Sequence, residues 1–371
     1  MALSAPAQAW FAGRHATSLE EVTDDPRALD AGGWWAVVMS FEGEATFARF
    51  GSVETLSAPP PPTHDWSGVP VDVWASSTSE ERYRADVDEI RARIAAGTVY
   101  EVNLCRVLSA PMPADTHDLL GLAHALHAQH PAPFQGFVHL PDHGVQVACA
   151  SPELFLRRDG DRVWSSPIKG TAPDADSLLT KDEAENIMIV DLVRNDLGRV
   201  CVTGSVEVES LLAVEPHPGL VHLVSTVVGT LRPDAGWAEL LQATFPPGSV
   251  SGAPKSSALR TISDLEPVPR GPYCGAVGWV DADAGRAELA VGIRSFFVRE
   301  MGGRPHLCFG TGAGITWGSE PGREWDETQL KAARLLAVAA GTGRPAVDGN
   351  LAAASGDAGA DETGPEDGSA R

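Results

Sequence analysis

Lys169 stands in Pro167-Ile168-Lys169-Gly170-Thr171, 16 positions after Glu153 and 16 before Glu185. A primary amine set between carboxylates can act as a nucleophile, provided that desolvation or a neighbouring cation suppresses its charge. The plainer alternative is a solvated surface lysine. A second group of polar residues lies in Glu324-Trp325-Asp326-Glu327-Thr328-Gln329-Leu330-Lys331. Spacings of three and four place 324, 327 and 331 on one helical face. That face is either exposed, with a Glu327–Lys331 ion pair, or it sets a metal-binding carboxylate beside an ammonium that meets a substrate carboxylate. Asp182 and Glu185 repeat the three-residue spacing on an earlier helix. Two Glu-bearing helices converging on one point suit Mg²⁺, a hard cation usually held by one or two carboxylates.

The elements that must position these residues are strands and helices in irregular alternation. Residues 33–50 read as two strands joined near Gly43, and Pro59 to Pro62 as a stiff linker. A capping box at Ser77 to Glu80 opens a helix with Tyr83, Val87, Ile90 and Ile94 on one face, ended by Gly97. Residues 99–108 alternate as a strand, with Glu101, Asn103 and Cys105 sharing a face. Further helices are expected over 118–129, 182–197, 235–244 and 321–339, with Pro254 in the first turn of another. Further strands are expected over 134–140, 145–149, 162–165, 203–208, 221–231, 274–281, 287–299 and 305–310. This pattern predicts an α+β fold with large, mostly antiparallel sheets rather than a parallel doubly wound one. Residues 1–74 read as a short β-rich segment packing on the core, 75–340 as the catalytic domain, and 341–371 as a disordered acidic tail.

Composition narrows the class of partner. The chain has 371 residues, 43% hydrophobic and 21% charged, with 50 acidic against 28 basic side chains and a formal charge of −22. Nucleic acid needs a basic footprint, so it is not expected as a partner. An anionic substrate would need a local cluster of cations or a metal. No apolar run is long enough to span a membrane. Five scattered cysteines without a framework, and a start lacking a basic and apolar leader, point to reduced thiols and the cytoplasm. Two glycine-rich stretches are look-alikes only. Gly248 to Ser256 has Pro254 where a phosphate-binding loop needs glycine, and Gly310, Gly312 and Gly314 have the wrong spacing for a dinucleotide fingerprint.

The order SPE, PIKGT, KDEAENIMIVDLVRNDLGRV, HLVSTVVG, FPPGSVSGAPK, YCGAVG, GIRSFF, GTGAGI and EWDETQLKA, over roughly residues 75–340, resembles the chorismate-utilising enzymes. Within them it looks most like the first component of aminodeoxychorismate synthases, which serve para-aminobenzoate and folate synthesis. The resemblance implies a fold of large antiparallel sheets sandwiched with helices around a central cleft. It also implies an attacking amine at Lys169, where anthranilate synthases usually carry alanine. The water-using isochorismate and salicylate synthases instead have a lysine base in the strand motif aligning with Tyr100 to Leu104. Here Glu101 stands at that place.

By the same resemblance Glu153 is the general acid, and Glu185 and Glu327 are Mg²⁺ ligands, with Glu324 and Asp182 possible through water. Arg294 and Tyr273 match groups that hold the enolpyruvyl carboxylate. Backbone amides near Gly312 and Gly314, together with Thr171, His222 and Lys331, match other cleft-lining positions. His222 as a satisfied core histidine and Arg294 as a structural ion pair are the alternatives. Lys255 is expected mainly to shape its loop. One departure is Asp174, where the family usually has arginine; an anion there would raise the Lys169 pKa. The chain has no cysteine in a glutaminase elbow, so the resemblance implies a separate glutamine amidotransferase that supplies ammonia to act on chorismate. Rival readings are anthranilate synthase component I, an isochorismate or salicylate synthase, and a non-catalytic chorismate-binding partner.

Overall fold

The computed structural model describes residues 5–341, apart from residues 12, 63, 115, 117, 173, 179, 218 and 219. The tail expected to be disordered lies outside the described residues beyond Gly341. Among the described residues every strand pairing is antiparallel, and 18 strands join in a single hydrogen-bonded network.

The network is a strip with two arms. In the first, Glu101–Pro111 pairs with Arg304–Ile315, which pairs with Ser295–Met301, then Val145–Ser151, Phe134–Leu140 and Gln8–Phe11. In the second, Ala45–Thr55 pairs with Trp34–Met39, then Ala276–Asp281, Arg286–Val291, Leu154–Asp159, Arg162–Ser166 and Leu220–Thr230. Leu220–Thr230 also carries Ile168–Ala172 and Glu207–His217. Arg14–Thr23 closes the strip, because it pairs with Gln8–Phe11 of one arm and Ala45–Thr55 of the other.

This corrects the expected α+β layering of separate sheets sandwiched with helices. One antiparallel network folds back on itself, and the helices pack against it and against one another, with Glu80–Ala95 and Leu120–Gln129 both meeting Pro321–Ala339. The expectation fails at Gln8–Phe11 and Arg14–Thr23, the hinge of the strip. The first is short and buried throughout, and the second is mostly polar and half exposed, so neither shows a clean two-residue period.

A large core joins the arms. Trp35, Phe47, Val102, Leu104, Val147, Leu156 and Val163 all belong to it. A second core lies between the first arm and two helices, Leu120–Gln129 and Pro321–Ala339, with Leu108, Phe296 and Phe309 meeting Leu335 and Leu336. At about 25 cal/mol per Å² of apolar surface removed from water, such burial dominates the free energy favouring the fold.

The chain crosses between arms at two adjacent places. Val145–Ser151 passes to Leu154–Asp159 through Pro152 and Glu153, and Arg286–Val291 passes to Ser295–Met301 through Gly292 to Arg294. The expected continuous strand over 287–299 is therefore broken, with Arg294 at φ 52°. The crossings are tied by the Val291 amide donating to the Glu153 carbonyl at 3.0 Å and the Ala150 amide to the Arg294 carbonyl at 3.1 Å.

Candidate active site

The strand Ile168–Ala172 lies at the open end of the second arm and pairs irregularly with Leu220–Thr230 between Ile168 and Thr171. Gly170 holds a left-handed φ of 81°, and an added Cβ there would come within 2.8 Å of Asp182. The irregularity brings the Lys169 side chain inward, where it is 11% exposed. Its Nζ lies 2.5 Å from Oε1 of Glu101, at the start of Glu101–Pro111 in the first arm. Glu101 is fully buried, and its Oε2 has no hydrogen-bond partner among the described residues.

Burial by itself pushes the Lys169 ammonium toward neutrality, but the carboxylates of Glu101, Glu185 and Glu153 outweigh it and hold the pKa above the usual lysine value. The free chain thus keeps Lys169 charged. Asp174 is not the cause: it is exposed and accepts from the amide and hydroxyl of Ser177, at 3.0 and 2.7 Å.

Glu153, in the first crossing, is 4% exposed. Burial pushes its pKa up to about 7, against the opposing influence of Ser249, Lys169, the Ile168 amide and Arg294. A carboxyl titrating there can hold a proton near neutral pH and release it in a reaction. Arg294, in the second crossing, places its guanidinium 3.4 Å from Nε2 of His130 and 3.4 Å from Nε2 of His222. Burial, then Arg294 and Arg334, push His130 down to about 4. The imidazole therefore stays neutral beside the guanidinium, and this corner of the site carries a positive charge suited to an anion. His222 is buried and stands opposite Thr171 in the strand register. The Thr171 side chain falls outside the described part of the structure.

The carboxylates expected to hold a metal come from two helices. Thr180–Gly198 brings Glu185, and Pro321–Ala339 brings Glu324, Glu327 and Lys331. Asn186 fixes the first helix by donating to the Leu223 carbonyl at 3.0 Å and accepting from Ser225 Oγ at 2.5 Å. Lys181 lies between the helices, 3.5 Å from Glu185 and 3.8 Å from Glu324. Burial raises the pKa of both acids, while the lysines oppose it. Glu327 also feels burial, but Lys331, 2.6 Å away, draws its pKa below the usual value. Lys331 additionally donates to the Gly312 carbonyl at 3.1 Å.

Among the described residues no three acidic, histidine or cysteine side chains gather as a ready metal cluster. Buried Glu324 and half-buried Glu185 facing an ammonium, the latter with a buried oxygen lacking a hydrogen bond, still form a cation-seeking pair of hard donors. That chemistry fits a magnesium ion that takes its remaining ligands from substrate and water. Asp182, on the same helix, lies against Gly170.

Gly312 and Gly314 occur on the strand beside Glu101–Pro111, opposite Cys105 and Asn103. A Cβ at Gly314 would lie 2.7 Å from Glu101 Oε1 and 3.2 Å from Lys169 Nζ, so only glycine leaves room for the pair. Tyr273 packs elsewhere: its ring covers Gly310, and its hydroxyl receives the Cys105 thiol at 3.8 Å. The residues grouped by the sequence thus divide in the structure. Lys169, Glu153 and Glu185 interact electrostatically, Arg294 joins His222, and Tyr273 sits with Cys105 and Arg270. Lys255 is structural, pinning its loop through Asp196 at 2.6 Å and the Thr244 carbonyl at 2.9 Å. Sequence reasoning missed His130 and Arg334. The former follows a helix without periodic signal, whereas the latter continues the three-and-four spacing of 327 and 331.

Residues 30–337 match the family described as chorismate binding enzyme. The chain is 37% identical over 302 residues to aminodeoxychorismate synthase component 1 of Klebsiella aerogenes, covering 78% of this chain and 64% of that protein. It is also 37% identical over 281 residues to anthranilate synthase component 1 of a Synechocystis strain, covering 71% of this chain and 54% of that one. The matched region thus spans between half and two thirds of those relatives. A 2,3-dihydroxybenzoate-specific isochorismate synthase from Bacillus anthracis has the same fold, with a TM-score of 0.75 at 24% identity over 91% of this chain and 97% of that one.

Proposed function

Given that the chain belongs to the chorismate binding enzyme family, we propose that it converts chorismate and ammonia to 4-amino-4-deoxychorismate, as the first component of an aminodeoxychorismate synthase. Relatives with two different activities align at the same 37% identity, so overall likeness does not choose between them. The observation that carries the choice is the buried Lys169 amine, electrostatically coupled to an acid, Glu153, that titrates at about 7.

In this reading Glu153 protonates the departing C4 hydroxyl while Lys169 bonds to C2 of the ring. Ammonia then attacks C4 and expels the lysine. Two displacements replace one difficult substitution. The Arg294 guanidinium, backed by neutral His130 and by His222, pairs with the enolpyruvyl carboxylate. Lys331 and the Gly312–Gly314 backbone line the ring's other side, with Thr171 opposite His222, and Tyr273 supports that wall from behind Gly310. A magnesium ion held by Glu185 and Glu327, with Glu324 and Asp182 through water, would supply the positive charge that anchors the ring carboxylate in an acidic protein.

We place this chemistry in residues 75–340, in the cytoplasm, with ammonia delivered by a separate glutamine amidotransferase and the product passing to para-aminobenzoate and folate. All five cysteines are free and buried, as a reducing compartment requires, and no helix among the described residues is long and apolar enough to cross a membrane. The test is mass spectrometry of the product from chorismate, magnesium and ammonium, with native chain and Lys169→Ala. A product retaining the enolpyruvyl group, and lost in the variant, supports the proposal. Release of pyruvate would show anthranilate synthesis instead, and an unchanged rate in Lys169→Ala would remove the lysine from the chemistry. Glutamine without the amidotransferase should give no product.

A further inference from the structure

We infer that Glu101 is the acceptor of the Lys169 proton, the internal base that converts the ammonium to a nucleophilic amine. This rests on the lysine reading above and deepens it. Lys169 faces acids from four elements: Glu101 on Glu101–Pro111, Glu185 on the helix Thr180–Gly198, Glu153 in the crossing turn, and Glu327 on Pro321–Ala339. Among the described residues only Glu101 reaches its Nζ within ion-pair distance, at 2.5 Å. Glu185 is instead paired with Lys181, Glu327 with Lys331, and Glu153 is needed as the acid.

The surroundings of Glu101 differ from those of a structural anchor. Its carboxylate is fully buried, and one oxygen makes no hydrogen bond. A structural partner would have both oxygens satisfied, because an unmet buried acceptor is costly. In the free chain the pair rests ionised, but desolvation penalises both charges at once and so narrows the gap to the neutral acid–amine form. Substrate binding that excludes the remaining water therefore favours transfer of the proton.

The step balances without a further reagent. Lys169 gives one proton to Glu101, and its freed lone pair forms the Nζ–C2 bond. The two ring double bonds shift, the C4–O bond breaks with its electron pair, and the oxygen takes the Glu153 proton to leave as water. In the return, ammonia bonds to C4, the double bonds shift back, and the C2–Nζ bond breaks with its pair on Nζ. Nζ recovers the proton from Glu101, and the new amine gives its extra proton to Glu153.

The experiment follows adduct formation on the full chain by intact-protein mass spectrometry, with chorismate and magnesium but no ammonia. The native chain should gain chorismate less water quickly, at a rate that falls above about pH 7 as Glu153 loses its proton. Glu101→Gln should form adduct about 100-fold more slowly, as general-base losses run, rising tenfold per pH unit below about pH 7 as hydroxide replaces the missing base and levelling above it as Glu153 loses its proton. Glu101→Asp, which restores a carboxylate, should recover part of the rate. Adduct on Glu101→Gln at the native rate and with the native pH profile would overturn the proposal while leaving the lysine reading intact. A native chain that never gains adduct, with Lys169→Ala as active as native, would overturn both.

Discussion

Lys181 Nζ reaches Glu324 across two helices, 3.8 Å away, while also facing Glu185 at 3.5 Å. The ammonium thus lies between two acids that burial makes reluctant to ionise alone. If these acids hold magnesium, Lys181 competes with it. Lys181→Met is expected to bind Mg²⁺ several-fold more tightly by titration calorimetry, and Glu185→Gln 10- to 100-fold more weakly. Equal affinities in all three proteins would dissociate these helices from the metal.

Glu153 gives the activity an alkaline limb. Its acid form is lost as pH rises through about 7, so turnover should fall above that value, and Glu153→Gln should lose about 100-fold in kcat at neutral pH. A rate that stays level from pH 6 to 9 would contradict this assignment.

The same group also makes a stability prediction of opposite kind. Because burial raises its pKa from 4.5 to about 7, the folded chain binds more protons than the unfolded one between those values. Stability contributed by this group therefore declines as pH rises from 4.5 to 7. Glu153→Gln should relieve up to about 3 kcal/mol at pH 8, since one pKa unit corresponds to about 1.4 kcal/mol. Thermal denaturation at pH 5 and pH 8 checks it: the melting temperature of the variant should exceed native only at the higher pH.

Breaking one side of the buried Lys169–Glu101 pair should cost more than removing both. Lys169→Met leaves a fully buried carboxylate without its cation and is expected to destabilise by roughly 3–5 kcal/mol. The double variant with Glu101→Gln should recover most of that loss in a denaturant titration. Additive losses would mean that the two side chains are not coupled.

Gly314, on the strand beside Glu101–Pro111, turns its bare Cα toward this pair. Gly314→Ala would put a methyl 2.7 Å from Glu101 Oε1, an overpacking expected to cost about 1–3 kcal/mol and to displace the ion pair. The matched control is Gly43→Ala, where nothing lies within 4 Å; its turn has a positive φ, so stability falls there, but ammonia-dependent turnover should not. Equal turnover in the two variants would argue against a close approach at Gly314.

Much of the site was legible in the chain before folding was considered. Glu324, Glu327 and Lys331 share a helical face because three- and four-residue spacing dictates it, and Lys331 does meet Glu327. The helix Glu80–Ala95 begins at Ser79, whose side chain accepts the Arg82 amide, close to the capping signal. The strand holding Lys169 was not legible. Ile168–Ala172 is five residues long, lacks alternation and carries a glycine, so its pairing with Leu220–Thr230 is imposed from outside. His130 gives no signal either, being set by the end of one helix and by the guanidinium it meets from 164 residues away.

From the amino-acid order alone came the set of groups able to do chemistry and the helices that carry most of the acids, because side-chain type and short spacing are local properties. Family likeness came from it too. Tertiary structure decided that Lys169 faces Glu101, 68 residues distant, and that its amine rests charged rather than neutral. It also decided that Arg294 interrupts a strand, and that the large sheets expected are one strip. Each of these depends on which backbone amide finds which carbonyl across the fold, and on how much water is left beside a charge; neither is encoded in any short stretch of residues.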